Sequence, residues 1–271
     1  MKYTVITTFH DQGLKQYGQR MIDTFEQHWP AEVDLIVYTE NCRPRVSKSN
    51  VQTIDLLATS TDLQQFIERH KNNPLAHGLS TPDRQINPKK QFRWDAVRFA
   101  YKVFSIALAA GTIKTDWLVW LDADTHTHSP VPTNGLSALC PADSMISYLG
   151  RGETYHSECG WVAYNLNNPQ TQQFIKDFVD LYNNDEIFKL DEWHDSYVWD
   201  VVRRRYCGTN KFYNLNTAPS TRGLAGHPFI NSALGLYMDH VKGKRKNTGY
   251  SFSHEILTHH DHPYWKKVLG K

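Results

Sequence analysis

The sequence predicts an α/β protein with a mixed, mostly parallel sheet flanked by helices. Three observations lead there. Between Tyr3 and Tyr38 a β-branched run, an amphipathic helix pattern and a second apolar run follow one another, the spacing of a strand–helix–strand unit. Trp117-Leu118-Val119-Trp120-Leu121 is apolar without alternation, as in a strand buried on both faces. Strand-like and helix-like segments then keep alternating along the chain.

Tyr3 to Phe9 is rich in β-branched residues and reads as the opening strand, broken by His10-Asp11-Gln12-Gly13. Leu14, Tyr17, Met21, Ile22 and Phe25 recur at helical spacing, so Leu14 to His28 reads as a helix ended by Trp29-Pro30. Asp34 to Tyr38 is a second strand and Val51 to Asp55 a short third. No G-x-G-x-x-G turn links them, which argues against a dinucleotide-binding dehydrogenase. Asp62 to Lys71 patterns as a helix. Residues 72 to 90 hold three prolines and read as a long loop over the sheet. Phe92 to Ala110 reads as a helix stopped by Gly111, with Arg93, Arg98 and Lys102 off its apolar face.

The Trp117–Leu121 strand runs directly into Asp122-Ala123-Asp124. Positions i and i+2 of a strand share a side. If the strand ends at Leu121, both carboxylates sit at its C-terminal edge, where open α/β sheets bind ligands. Two such carboxylates can hold a hard divalent cation, and through it phosphates. The plain alternative is an aspartate-rich turn. Thr125 to Pro132 reads as a proline-bounded turn in which His126 and His128 could bind metal, although two histidines in an exposed turn are more often simply polar.

Ser144 to Leu149 is a strand, and Glu158 to Leu166 a small-residue turn feeding another. Pro169 starts a helix through Tyr182. His194 to Arg205 is helical, with Asp195 at its start as a cap or a catalytic carboxylate. Lys211 to Asn216 reads as a short strand and turn. His240-Val241-Lys242-Gly243-Lys244-Arg245-Lys246 is a basic loop, and His254, His259, His260 and His262 read as surface residues.

Composition narrows the classes. The 271 residues are 40% hydrophobic with a net charge of +2, enough for a core and far from a nucleic-acid-coating protein. Cys42, Cys140, Cys159 and Cys207 lack metal-site spacing and read as reduced thiols. No apolar run approaches the length of a membrane span, and the N-terminal apolar run is too short for a signal peptide, so a cytoplasmic location is expected.

Two motifs stand in order: Leu121-Asp122-Ala123-Asp124-Thr125 and His240-Val241-Lys242-Gly243-Lys244-Arg245-Lys246. The pair resembles the L-D-x-D-T/V and H-x-x-G-x-x-K motifs of GT-A fold glycosyltransferases, in particular the retaining family that includes glycogenin and the bacterial lipopolysaccharide galactosyltransferases. Gly160 to Leu166 is similar to that family's intervening turn and strand, and Asp195 to its carboxylate-bearing helix start. The family continues Lys-Pro-Trp where Lys246 is followed by Asn247-Thr248, and its base-reading segment is matched loosely by Thr7 to Asp11.

The resemblance implies a single GT-A catalytic domain, with a nucleotide-sugar half at 1–125 and an acceptor half with the metal and diphosphate loop at 126–271. It implies metal ligation by Asp122, Asp124 and His240, a mixed oxygen and nitrogen set that suits Mn²⁺ better than Mg²⁺. The donor is then a nucleotide sugar, of the UDP class, held by Thr8, Asp11, Arg98 or Lys102, Asp122, Gly243 and Lys246, with Lys242 and Lys244 as alternative phosphate cations. Asp195 and, second to it, Glu158 are the expected catalytic carboxylates, and the anomeric configuration would be retained. The expected acceptor is a glycan. The alternatives are a hydroxymethylpyrimidine base in DNA, as phage-type transferases use, or a non-catalytic module that binds nucleotide sugar or nucleic acid.

Overall fold

The computed structural model describes residues 1–78, 88–152, 155–206, 208, 211–216, 226–258 and 261–270. Strand β1 (Tyr3–His10) leads into helix α1, which opens on one α-turn (Asp11–Gly13), passes through a π-segment (Leu14–Gly18) and continues as an α-helix (Gln19–His28). The helix thus starts at Asp11, before the Leu14 that periodicity marked, because His10 in extended conformation caps it through its ring. Strands β2 (Asp34–Glu40) and β3 (Val51–Asp55) follow, then α2 (Thr61–His70).

The expected loop over 72–90 carries 3₁₀ turns at Pro74–His77 and Pro88–Trp94. The next helix, α3 (Ala96–Thr112), begins four residues later than Phe92, because the Asp95 carboxylate accepts the Arg98 amide at 3.1 Å and caps it there. Strand β4 is Trp117–Leu121.

The segment 125–132 departs from expectation. Thr125–Thr127 is a strand, β5, and His126 is buried at 4% exposure. Then come α4 (Thr133–Leu139), β6 (Ile146–Leu149), β7 (Glu158–Asn165), α5 (Pro169–Asn183), α6 (Asp195–Arg205), β8 (Phe212–Asn214), β9 (Met238–His240) and α7 (Pro263–Val268).

Among the described residues, seven strands form one sheet in the order β3–β2–β1–β4–β7–β6–β8, and of these only β7 runs against the rest. Alternation along β4 explains its unbroken apolar run. Leu118 and Trp120 enter a core with Phe104 of α3, Phe174 of α5 and Trp199 of α6. Trp117, Val119 and Leu121 enter the other, with Phe25 of α1, Leu136 of α4 and Trp265 of α7. Central strands covered by helices on both sides have no polar face to show.

A second, two-stranded sheet pairs β5 with β9. The C-terminal segment secures it. Tyr264 Oη donates to Asp239 Oδ2 at 2.6 Å, and His128 stacks on the Tyr264 ring at 4.1 Å. His126 and His128 therefore belong to packing against α7, and burial pushes the His126 imidazole down to about 2, so it is neutral. His262, expected on the surface, is half-buried against the same block, with Nε2 3.0 Å from Ser129 Oγ. His254 is exposed, while His259, His260 and Cys207 lie outside the described residues. Cys42, Cys140 and Cys159 are free and buried. Among the described residues, no helix is long and apolar enough to cross a membrane.

Candidate active site

Strand β4 ends at Leu121, and the chain turns at once: the Thr125 amide donates to the Asp122 carbonyl at 3.0 Å. The Asp122 amide is held by Gly160 O of β7 at 2.9 Å. Asp122 and Asp124 thus share a side, as expected, but through this turn and not through the pleat of a strand. The β5–β9 ladder sets His240 opposite Thr125, and the Val241 amide donates to Asp124 O at 2.9 Å. His240 Nε2 then lies 3.0 Å from Asp124 Oδ1 and 3.5 Å from Asp122 Oδ2. The three residues each bring one ligand-type atom to within 4.8 Å of the others.

Charge at this point is tightly held. His240 is fully buried. Burial works against its charge, yet the Asp124 carboxylate, the hydrogen bonds to Asp122 and Asp124 and the nearby Glu158 push the imidazole up to about 9. Burial likewise opposes ionisation of Asp122, but the Lys102 charge and His240 hold its carboxyl well below the usual range. For Asp124 the same desolvation is outweighed by His240 and Lys246. Two carboxylates hold a proton on the buried imidazole, and a metal bound there would have to displace that proton, since only neutral imidazole ligates. Their donor set of oxygens and one imidazole nitrogen fits a divalent cation.

Lys102 is the hub beside this pocket. Its ammonium donates to Asp122 Oδ1 at 3.0 Å, Asp195 Oδ2 at 2.6 Å and Cys159 O at 2.6 Å, under the Trp120 ring. Burial opposes its charge, and the Asp122 and Asp195 carboxylates more than restore it. All three acceptors are protein oxygens, so Lys102 ties α3, β7 and α6 to the aspartate turn and is not a free phosphate cation. Arg98, one turn earlier on α3, lines the cavity. Asp195 is the first residue of α6, and His194 occupies the cap position, so the Asp195 carboxylate is committed to Lys102 and not to capping.

Glu158 opens β7 and is 4% exposed. It pairs with Lys242, and its Oε1 lies 3.7 Å from His240 Nδ1. Burial raises its pKa, but Lys242, His240 and Arg151 more than reverse this and hold it ionised.

Gly160 decides whether His240 fits. A Cβ there would stand 2.5 Å from His240 Cε1 and 2.7 Å from Nδ1, and the ring is fixed by its two carboxylate contacts. Gly160→Ala is expected to cost about 1–3 kcal/mol by overpacking and to weaken metal binding through displacement of the imidazole. Chemical denaturation and calorimetric metal titration of the variant check this; wild-type values for both would show that the ring moves freely.

The basic loop closes over the cluster. Lys246 Nζ is 3.0 Å from Asp124 Oδ2 and lies over the Tyr17 ring, while Arg245 is forked onto Glu255. Gly243 has φ +64°, a left-handed turn that glycine adopts without strain, and a Cβ there would meet open space. Lys242, Gly243, Lys244 and Lys246 line a cavity of about 1050 Å³ together with Asp122, Asp124, Glu158 and Asp195.

At the ends of β1 and β2, Thr8 Oγ1 lies 2.8 Å from both Tyr38 O and Glu40 Oε1. Asp11 is exposed and paired with Lys15. Burial raises the Glu40 carboxyl to about 7, against smaller opposing contributions from Thr8 and Arg98. A proton held more tightly in the fold than in the unfolded chain stabilises at low pH, and that contribution is lost as pH rises from the ordinary carboxylate range through about 7. Glu40→Gln is therefore expected to raise stability above pH 7 relative to wild type and to flatten its decline between pH 5 and 8, read from denaturation midpoints across that range.

Sequence reasoning left out Gly160 as a packing requirement, Arg151 near Glu158, and the cavity-lining His156 and His194. Gly160 carried a signal, a glycine between Cys159 and Trp161 at a strand start. His194 has its hydrogen-bond partner Glu192 two residues away, but nothing in the sequence brings His156 to that pair.

No protein-family profile matches the chain, and no curated protein matches it in sequence. Solved structures do. The bifunctional glycosyltransferase WbbM in its apo form aligns over 99% of this chain and 51% of its own, at 11% identity and TM-score 0.51. The chain has a GT-A glycosyltransferase fold. Mouse xyloside xylosyltransferase 1, apo, aligns over 86% of this chain and 94% of its own at 9% identity and TM-score 0.47. GlyE of Streptococcus pneumoniae TIGR4 aligns over 79% and 45% at 9% identity and TM-score 0.45. The chain spans about half the length of WbbM and somewhat less of GlyE.

Proposed function

We propose that the protein is a metal-dependent glycosyltransferase that moves a sugar from a nucleotide-diphosphate sugar, of the UDP class, to a hydroxyl of a glycan acceptor, with retention of configuration. The observation that carries this reading is the convergence of Asp122, Asp124 and His240 under a lysine-rich loop at one large cavity. In this reading residues 1–125 hold the nucleotide sugar, and 126–271 supply the acceptor side and the loop over the diphosphate.

A divalent ion, Mn²⁺ in preference to Mg²⁺, bound by Asp122, Asp124 and His240 would supply Lewis-acid neutralisation of the departing diphosphate. The chain's own residues do the rest. Lys246, 3.0 Å from Asp124 Oδ2 at the cavity wall, is placed to take a phosphate oxygen, with Lys242 and Lys244 beside it. The left-handed turn at Gly243 lets the loop fold over the donor. Asp195, oriented by Lys102, lines the cavity where it can stabilise positive charge developing on the sugar ring. Glu158 faces His240 and Lys242 and orients both, which makes it a positioning residue in place of an acid or base.

The test is a thermal-shift screen of UDP-, GDP- and CMP-sugars with and without Mn²⁺. A ligand that binds only the folded chain raises its melting temperature, by about 2.7 kcal/mol of stabilisation at a hundredfold excess over Kd. A UDP-sugar is expected to stabilise only with Mn²⁺ present; no metal-dependent shift with any donor would sink the reading.

A further inference from the structure

Apart from the Asp122–Asp124–His240 cluster, the same cavity is lined by two more imidazoles, His156 and His194. With Glu192 they bring two ring nitrogens and one carboxylate oxygen to within 4.8 Å of one another. Glu192 Oε2 lies 2.8 Å from His194 Nε2 and 3.9 Å from His156 Nε2. Its other oxygen, Oε1, is held by the Arg93 guanidinium. The segment is pinned on both sides: the Trp193 amide donates to Arg93 O at 2.7 Å and the Trp193 indole to Leu190 O at 3.0 Å.

The division of labour within Glu192 is the informative part. One oxygen is held by the guanidinium, and the other faces two imidazole nitrogens, at 2.8 and 3.9 Å. A structural hydrogen bond uses one of them, the His194 contact. The second nitrogen, from a different segment, is in excess of that need. Two imidazoles and one carboxylate with a solvent-facing side are the ligand set of an open four-coordinate zinc-type site. A guanidinium on the far carboxylate oxygen is the kind of outer partner that orients such a ligand.

We propose that His156, Glu192 and His194 form a second metal site for a d-block ion of the Zn²⁺ class, separate from the aspartate cluster, with its open position toward the cavity. Nitrogen ligands outnumber oxygen there, which separates its preference from that of the oxygen-rich aspartate cluster. The site stands on its own geometry. Its role, holding an acceptor hydroxyl beside Asp195, rests on the glycosyltransferase reading.

The experiment uses the full chain carrying Asp124→Ala and His240→Ala, which removes the first cluster, and Co²⁺ as a spectroscopic stand-in. About one Co²⁺ per chain is expected, with the visible absorption of a low-coordinate nitrogen and oxygen site, displaced by Zn²⁺. Adding Glu192→Gln, or His156→Ala with His194→Ala, should abolish the absorption and weaken binding at least tenfold while circular dichroism is unchanged. Arg93→Met should weaken it by about 10–100-fold. Should the double variant fold poorly, the same Co²⁺ absorption is read in otherwise wild-type protein as the part lost on His156→Ala with His194→Ala, because Co²⁺ also displaces Mn²⁺ from the aspartate cluster. Absence of Co²⁺ binding there, or binding indifferent to His156 and His194, overturns the proposal. Donor thermal shifts with Mn²⁺ are read in parallel, so failure of this site is distinguishable from failure of the donor site.

Discussion

Asp124→Ala is expected, on the proposed glycosyltransferase reading, to abolish the Mn²⁺-dependent donor shift and to lower kcat/KM for sugar transfer about a thousandfold, roughly 4 kcal/mol of transition-state stabilisation. Asp124 is contacted by both His240 and Lys246, so it joins the cation pocket to the basic loop. Removing it takes away one anionic oxygen set. It also frees Lys246 and leaves the buried His240 with weaker support for its proton. Asp124→Asn keeps the shape and the Val241-to-Asp124 backbone bond, so it isolates the loss of charge. Both variants should lose metal-dependent transfer by steady-state kinetics while melting cooperatively. Near wild-type transfer by either would remove Asp124 from the metal site.

Lys102→Met is expected to cost about 3–5 kcal/mol of stability, because it leaves the half-buried Asp122 and Asp195 carboxylates without their shared cation. The side chain is one-tenth exposed and serves three acceptors from three elements. Its loss leaves Asp122 and Asp195 facing each other's charge and the Cys159 carbonyl without that donor. Lys102→Arg is not a safe replacement, since a planar fork cannot reproduce three convergent bonds from one nitrogen. Urea denaturation reads the loss directly. A Lys102→Met protein within about 1 kcal/mol of wild type would mean that water reaches both carboxylates.

Much of the fold was legible because it depends on short-range pattern. Trp117–Leu121 announced a central strand by having no polar face, and both its faces are covered. The α3 periodicity located a helix, although its start moved to the Asp95 cap. The aspartate pair was legible as chemistry, while the turn that aims it was not. His126 and His128 went the other way: a proline-flanked histidine pair reads as exposed, and only the docking of α7 buries it.

What the sequence determined by itself was the identity of the elements and the presence of two charged motifs, because hydrophobic period and residue chemistry are local properties. What only the tertiary structure decided was their meeting. His240 lies 116 residues beyond Asp124, and it reaches the aspartates because β5 and β9 pair in one register, with Gly160 leaving space for its ring. Lys102 shares Asp195 across 93 residues, and Glu192 meets His156 through a loop. Register, ring clearance and ion pairing between distant segments are set by packing over the whole sheet, and no window of the chain contains both partners.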